Sequence, residues 1–105
     1  MKRLRKVRMF FLLQCEVAVG RTQRMAELRP PHLDYVGQNR SVIRFGGICA
    51  AEGEPPSRIC YVVDVPSSED ALEFIEGDPY YEIYDSTEVL PFQLRIAGEA
   101  PAVSC

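Results

Sequence analysis

The sequence predicts an α+β domain: a four-stranded antiparallel sheet with two helices on one face, in the order strand, helix, strand, strand, helix, strand. Three observations predict it. Short apolar, β-branched or aromatic runs at residues 9–15, 41–51, 58–65 and 86–96 have the length and composition of strands. Two stretches of helical periodicity lie between the first and second runs and between the third and fourth. Residues 52–57 (Glu-Gly-Glu-Pro-Pro-Ser) read as a hairpin loop joining the two middle strands. The order is that of a split βαβ, or ferredoxin-like, domain.

Each element has its own signal. Residues 9–15 (Met-Phe-Phe-Leu-Leu-Gln-Cys) are almost continuously apolar, the pattern of a strand buried on both faces, which places it centrally. Gly20-Arg21-Thr22 is a turn, with Thr22 as the expected N-cap of a helix over Gln23 to Leu28. Pro30 and Pro31 each lack an amide donor and bias the preceding residue away from helical angles. A break or kink near Arg29 is therefore expected, with a fresh helical start running to about Asn39. The run 41–51 is interrupted by Gly46-Gly47, which suggests a bulge or a backbone that another group approaches closely. Ser67 should cap the second helix, with Glu69 and Asp70 in its first turn. Ala71, Leu72 and Ile75 form its expected buried stripe, widened by Phe74, and Gly77 stops it as a C′ residue. Asp78-Pro79 suits the N-cap and first position of a short helical turn. Pro91 in the last run implies an edge or bulged strand.

Size and charge narrow the class. The 105 residues suit one domain with a modest core, expected over residues 9–96. There is no run of about 18 apolar residues, so no membrane helix is expected. Residues 1–8 carry five cations and no acid, which leaves a formal charge of −8 on the rest of a chain whose net charge is −3. That octapeptide is read as a disordered basic leader, because the apolar run behind it is broken by Gln14 and Glu16 and lacks a clean cleavage site for a signal peptide. A body so acidic is a poor partner for phosphate backbones, so no nucleic acid is expected. Residues 97–105 are expected to form a flexible tail. The four cysteines (Cys15, Cys49, Cys60, Cys105) show no C-x-x-C spacing, and one histidine cannot complete a usual Cys₂His₂ zinc site. They are read as reduced thiols in a cytoplasmic protein, with a Cys49–Cys60 cross-strand disulfide as the less favoured alternative.

The one histidine of the chain sits in an unusual place. On a helical wheel Met25, Leu28, Leu33, Tyr35 and Val36 gather on one side, with Glu27 and Asp34 opposite. Arg29 and His32 land in the middle of the apolar side. A cation and an imidazole aimed at a core are costly unless something pairs with them. Either His32 is a structural, hydrogen-bonded core residue with the Arg29 stem packed beneath its head, or this face lines a pocket in which His32 moves a proton or binds a ligand.

Several of these residues carry a resemblance. Arg29-Pro30-Pro31-His32-Leu33 resembles the R-P-x-H-L signature of the YCII-related family. Phe45-Gly46-Gly47 is similar to that family's glycine pair, Gly77-Asp78-Pro79-Tyr80 to its D-P-Y motif, and Pro91-Phe92 to its closing P-F. The resemblance spans about residues 9–96. It implies a dimeric α+β barrel built from ferredoxin-like protomers, in which the helix histidine and the D-P-Y aspartate face each other across a pocket. Carried over, these are His32 and Asp78, the candidate catalytic pair. Arg29, Gly46, Gly47 and Tyr80 are the candidate substrate-binding residues. Related proteins of this architecture include muconolactone isomerase-like enzymes, and one YCII-like member removes chloride from a chlorinated hydroxyquinol. The chain departs from the family pattern at Pro31, at Gly47 where proline is common, and in its short 52–57 segment.

The expectation is a homodimer closed through the open sheet face, because nothing else in the chain is left to cover that face. Its function would be cofactor-free, metal-free His/Asp acid–base chemistry of the lyase, isomerase or dehalogenase type on a small anion, aromatic ones included. Arg29 would hold a carboxylate or an oxyanion, and Tyr80 would donate a hydrogen bond or stack on a ring. The rival expectation is a dimeric module that binds a small ligand, or is purely structural, without turnover.

Overall fold

The computed structural model describes residues 9–99 and 102–103. The expectations for residues 1–8, and part of that for residues 97–105, lie outside the described residues. The elements follow as β1 (Phe10–Val17), α1 (Thr22–Gln38), β2 (Ile43–Cys49), β3 (Arg58–Asp64), α2 (Ser68–Glu76), a 3₁₀ helix (Pro79–Ile83) and β4 (Tyr84–Phe92). The four strands form one antiparallel sheet in the order β2-β3-β1-β4, the expected ferredoxin-like arrangement.

β1 is central, as its composition predicted, but it is fully buried on one face only. Phe11, Leu13 and Cys15 are inaccessible, while Phe10, Leu12 and Gln14 between them are partly open. The buried set continues across the register into Ile59, Tyr61 and Val63 of β3. Ala71, Phe74 and Ile75 of α2, and Tyr80 and Ile83 of the 3₁₀ helix, complete the core. One face of the sheet therefore packs against the helices. The other carries Phe10, Leu12, Phe45, Leu90 and Phe92 toward one end and Gln14, Glu16, Arg58 and Glu88 toward the other.

Several local expectations are corrected. α1 runs through both prolines as one helix. Its half-buried residues Met25, Leu28, His32, Tyr35 and Val36 keep one helical phase across them. Pro30 and Pro31 themselves are exposed, as are Ala26 and Glu27, whose carbonyls lose their i+4 donors and can be solvated instead. The N-cap is Arg21, with no side-chain cap bond, so Thr22 does not play that part. Leu33 and Leu72, both expected inside, are 43% and 39% exposed. The irregularity in β2 falls between Ile43 and Phe45, not at the glycine pair, where Gly46 and Gly47 pair regularly with Tyr61 and Cys60. β4 ends at Phe92 rather than Ile96 and lies at the sheet edge, where Pro91 is tolerated.

Other expectations hold. Ser67 Oγ accepts the Asp70 amide at 3.1 Å and caps α2. Asp78 caps the 3₁₀ helix through the Tyr80 amide at 2.9 Å, with Pro79 in its first turn. Gly77 ends α2, but in a right-handed conformation (φ −79°). What requires a glycine there is crowding, since an added Cβ would lie 2.6 Å from the Tyr35 hydroxyl. Cys15, Cys49 and Cys60 are free thiols. Cys49 stands opposite Arg58, and Cys60 opposite Gly47, so the two sulfurs are diagonal rather than directly paired.

Candidate functional site

Three elements meet at Asp78. Its residue is 2% exposed and its side chain fully enclosed. A carboxylate taken out of water needs donors for both oxygens, and the fold supplies three. His32 Nδ1 of α1 lies 2.8 Å from Oδ1. The Tyr80 amide donates to the same oxygen at 2.9 Å. The Tyr61 hydroxyl of β3 donates to Oδ2 at 3.1 Å. Burial is the main cause that pushes the Tyr61 phenol up, followed by the Asp78 charge, so the hydroxyl stays protonated and remains a donor.

His32 is held from a second side. Its ring stacks on that of Tyr80 with centroids 3.8 Å apart and planes 7° from parallel. The contact lays the imidazole flat against an aromatic ring and fixes its plane. With the carboxylate an acceptor only, the Nδ1 contact selects the tautomer bearing Nδ1–H and leaves the lone pair on Nε2. The imidazole side chain is 12% exposed.

Arg29 lies one turn before His32, on the solvent side, near the Tyr80 hydroxyl. Burial pushes that phenol up, and Arg29, by charge and by hydrogen bonding, pulls it back down. Arg29 thus sets a cation near the hydroxyl of the same tyrosine whose ring stacks on the histidine. Further along α1, Arg24 grips both carboxylate oxygens of Glu82, at 2.8 and 3.0 Å, and Arg21 reaches the same group at 3.2 Å. This network ties α1 to the 3₁₀ helix and so joins the element carrying His32 to the one that Asp78 caps.

His32, Asp78, Tyr80 and Arg29, singled out from the sequence, are therefore brought together. Gly46 lies one residue further out, against the ring of Tyr61 rather than at Asp78 itself. Gly47 has nothing within 4 Å of where a side chain would begin, so it takes no part in this cluster. Sequence reasoning missed Tyr61, Tyr84 and the Arg24–Glu82 pair. A signal existed for Tyr61: in β3 it alternates with Ile59 and Val63 on the buried face, and a buried phenol needs a partner. The Tyr84 hydroxyl is buried with no hydrogen-bond partner of normal geometry, and the polar atom beside it is the Cys15 sulfur, a weak acceptor.

A separate concavity of about 370 Å³ lies over the open sheet face, lined by Gln14, Glu16, Arg58, Ser86, Thr87 and Glu88. Its charged residues are solvated or paired, as in the 3.2 Å contact of Arg58 with Glu16. It holds none of the groups around Asp78. Among the described residues no three His, Cys, Asp or Glu side chains are grouped to hold a metal ion, and no helix is long and apolar enough to cross a membrane.

No protein-family model and no curated protein matches the sequence. Solved structures do match the fold. One is the 5-chloro-2-hydroxyhydroquinone dehydrochlorinase of Burkholderia phenoliruptrix, seen in complex with 2,5-dihydroxybenzoquinone. It aligns with a TM-score of 0.72 over 81% of this chain and 94% of that one, at 22% identity. Another is a NIPSNAP family protein of Agrobacterium tumefaciens, with a TM-score of 0.54 over 90% of this chain and 92% of that one, at 12% identity. At these identities the likeness establishes the fold.

Proposed function

We propose that this chain is a small-molecule enzyme in which His32, steered by Asp78, is the acid–base group for cofactor-free proton transfer on a small hydroxylated anion. The observation that supports it most is the 2.8 Å contact between His32 Nδ1 and a fully enclosed Asp78 carboxylate. A buried imidazole–carboxylate contact is a weak stability device, since removing two polar groups from water costs about what their attraction returns. It is a good way to fix a tautomer and stabilise an imidazolium. In the proposed reaction Nε2 accepts a proton from a phenolic O–H or an acidic C–H, and returns it to carbon, oxygen or a departing anion. Arg29 carries the substrate's negative charge, and the Tyr80 hydroxyl donates to an oxygen where charge develops.

The dehydrochlorinase that shares this fold makes halogenated hydroquinones a reasoned first substrate class. Moving one phenolic proton through His32 to the chlorine-bearing ring carbon gives the keto tautomer; loss of the second hydroxyl proton to the same base, with departure of chloride from that carbon, then leaves a quinone, and the atoms balance as hydrogen chloride. The proposed working unit is a homodimer closed through the open sheet face, whose apolar end (Phe10, Leu12, Phe45, Leu90, Phe92) is the kind of patch single chains rarely leave bare.

The test is a turnover screen of hydroxylated aromatic and lactone-like anions, with chloride release followed for the halogenated ones. Turnover should be found in the wild type. His32→Gln should lower kcat by about 10²–10⁴-fold, the usual worth of a positioned general base, with KM changed little. A second reading draws on the stacking of His32 over Tyr80, which leaves little of the ring open. There His32 is a ligand-binding or structural group, no member of the panel is turned over, and His32→Gln changes affinity or stability alone.

A further inference from the structure

We infer that Tyr61 is a positioning residue for the His32–Asp78 pair, and that Gly46 is the notch in the neighbouring strand that seats its ring. This role rests on the reading of His32 given above and adds the second oxygen of Asp78 to it. Oδ1 is shared by His32 and the Tyr80 amide, so both of these donors serve one oxygen and neither serves the other. The Tyr61 hydroxyl supplies the donor for Oδ2, at 3.1 Å. Without it Oδ2 is a buried charged acceptor with no donor, and the group must twist, draw in water or take a proton. Each of these loosens its hold on Nδ1–H.

The position of Tyr61 has a cause in β2. Gly46 is its direct cross-strand partner. A Cβ on Gly46 would lie 2.8 Å from Tyr61 Cδ1, 3.2 Å from Cε1 and 3.1 Å from the Cys60 carbonyl oxygen. A 2.8 Å contact is shorter than real Cβ contacts, so with a side chain at 46 either the ring or the strand beside it must shift. On its other side Phe74 meets the ring edge-on, with centroids 5.5 Å apart and planes at 83°. Held between a glycine and a buried aromatic, the phenol has one place to go, and its hydroxyl lands on Asp78. The adjacent Gly47 meets nothing, so the two glycines of the pair do different things. The groups that face Asp78 are His32 and Tyr35 from α1, Cys15 from β1, Tyr61 from β3, and Tyr80 and Tyr84 beyond α2. Of these, Tyr61 is the one hydrogen-bonded to Oδ2.

The experiment uses the full chain, in which His32 is the one histidine and its resonances need no assignment. The imidazole ¹⁵N shifts of the neutral form report which nitrogen carries the proton. Wild type is expected to show the Nδ1–H tautomer. Tyr61→Phe, which removes one oxygen, should lose that signature in favour of the Nε2–H form common in free imidazoles. Gly46→Ala should do the same, and Gly47→Ala should not. A Tyr61→Phe protein that keeps the wild-type tautomer, or a Gly46→Ala protein indistinguishable from Gly47→Ala, overturns the inference while leaving the His32–Asp78 reading intact. A wild type without the Nδ1–H form sinks that reading first, and this inference with it. If Gly46→Ala does not fold, the stability of Gly46→Ala/Tyr61→Leu against Tyr61→Leu alone decides: a Gly46→Ala loss that vanishes once the ring is gone supports the notch, and the same loss without the ring refutes it.

Discussion

The Tyr35 hydroxyl and Gly77 occupy almost the same space. A methyl group added to Gly77 would sit 2.6 Å from the oxygen and 3.2 Å from two ring carbons, while the hydroxyl donates to the Phe74 carbonyl at 2.5 Å. The contact sets how closely α1 approaches the end of α2. His32 lies one turn before Tyr35 on α1, and Asp78 follows Gly77 directly, so the same contact sets the distance across the candidate pair.

Gly77→Ala is therefore expected to destabilise the fold by about 1–3 kcal/mol, the usual cost of overpacking. Tyr35→Phe should cost about 1 kcal/mol for the lost hydrogen bond. Because the phenylalanine also removes the nearest clashing atom, the double variant should cost less than the two single losses combined. Urea unfolding of the four proteins checks this. Strict additivity would show that the two groups do not compete for space.

Two buried phenols should respond oppositely to loss of their hydroxyls. Tyr61→Phe strips a donor from a buried carboxylate and should cost about 1.5–3 kcal/mol. Tyr84→Phe removes a buried hydroxyl with no proper partner and should be neutral or stabilising by up to about 1 kcal/mol. Thermal and urea denaturation of each variant would reveal the contrast. Equal losses would mean that the Tyr84 hydroxyl is paired in solution.

Alkaline pH should unfold the protein through these same phenols. Burial raises both Tyr61 and Tyr84 above the ordinary value of 10.0. In the unfolded chain they ionise near that ordinary value, while the folded chain keeps them protonated. Their contribution to stability is thus complete below about pH 10 and declines as pH rises beyond it. The phenolate absorbance that Tyr61→Phe/Tyr84→Phe lacks should appear together with the loss of far-ultraviolet circular dichroism, and phenolate formation well ahead of unfolding would contradict it.

The thiols should separate by reactivity. Burial pushes Cys15 up to about 12, whereas Cys49 lies exposed on the edge strand β2. In a Cys105→Ser background, Ellman's reagent near pH 8 should modify Cys49 rapidly, Cys60 slowly and Cys15 only after denaturant. Rapid modification of Cys15 in the native protein would place a path to solvent beneath the sheet.

Leu90→Glu should separate the proposed dimer. Leu90 is cross-strand to Leu12 on the open face and 37% exposed in the single chain. A carboxylate there costs little in a monomer and much in a closed sheet-to-sheet interface. Sedimentation should show wild-type dimers and variant monomers of unchanged helical content. Monomers in both would leave the open face to another cover.

Much of this was legible in the residues. The strand and helix order follows from the period of apolar residues, since a core-facing side chain must recur every second or every third to fourth position. Caps at Ser67 and Asp78 could be read because short polar side chains satisfy helix amides locally. His32 stood out because an imidazole on an apolar stripe must find a partner. The motif at residues 77–80 suggested Asp78 as that partner, but only through resemblance. What misled was equally local. Proline chemistry predicts a broken α1, yet exposed carbonyls at Ala26 and Glu27 can be solvated, and packing of the half-buried face keeps the helix in phase through Pro30 and Pro31. The paired glycines suggested a bulge, yet they pair regularly, and one of them makes room for a ring.

The element order, the central position of β1 and the presence of one histidine in need of a partner can all be read from the residues alone. These depend on periodicity and on side-chain chemistry within a few residues. That Asp78 receives donors from three elements, that Tyr61 supplies one of them, that Gly46 and Gly47 differ, and that Tyr35 presses on Gly77 is visible in the folded chain alone. Those facts depend on strand register and on the closeness of residues 17 to 46 positions apart in the chain. No local preference specifies such distances, because they are set by how the two helices and the sheet close on a shared core.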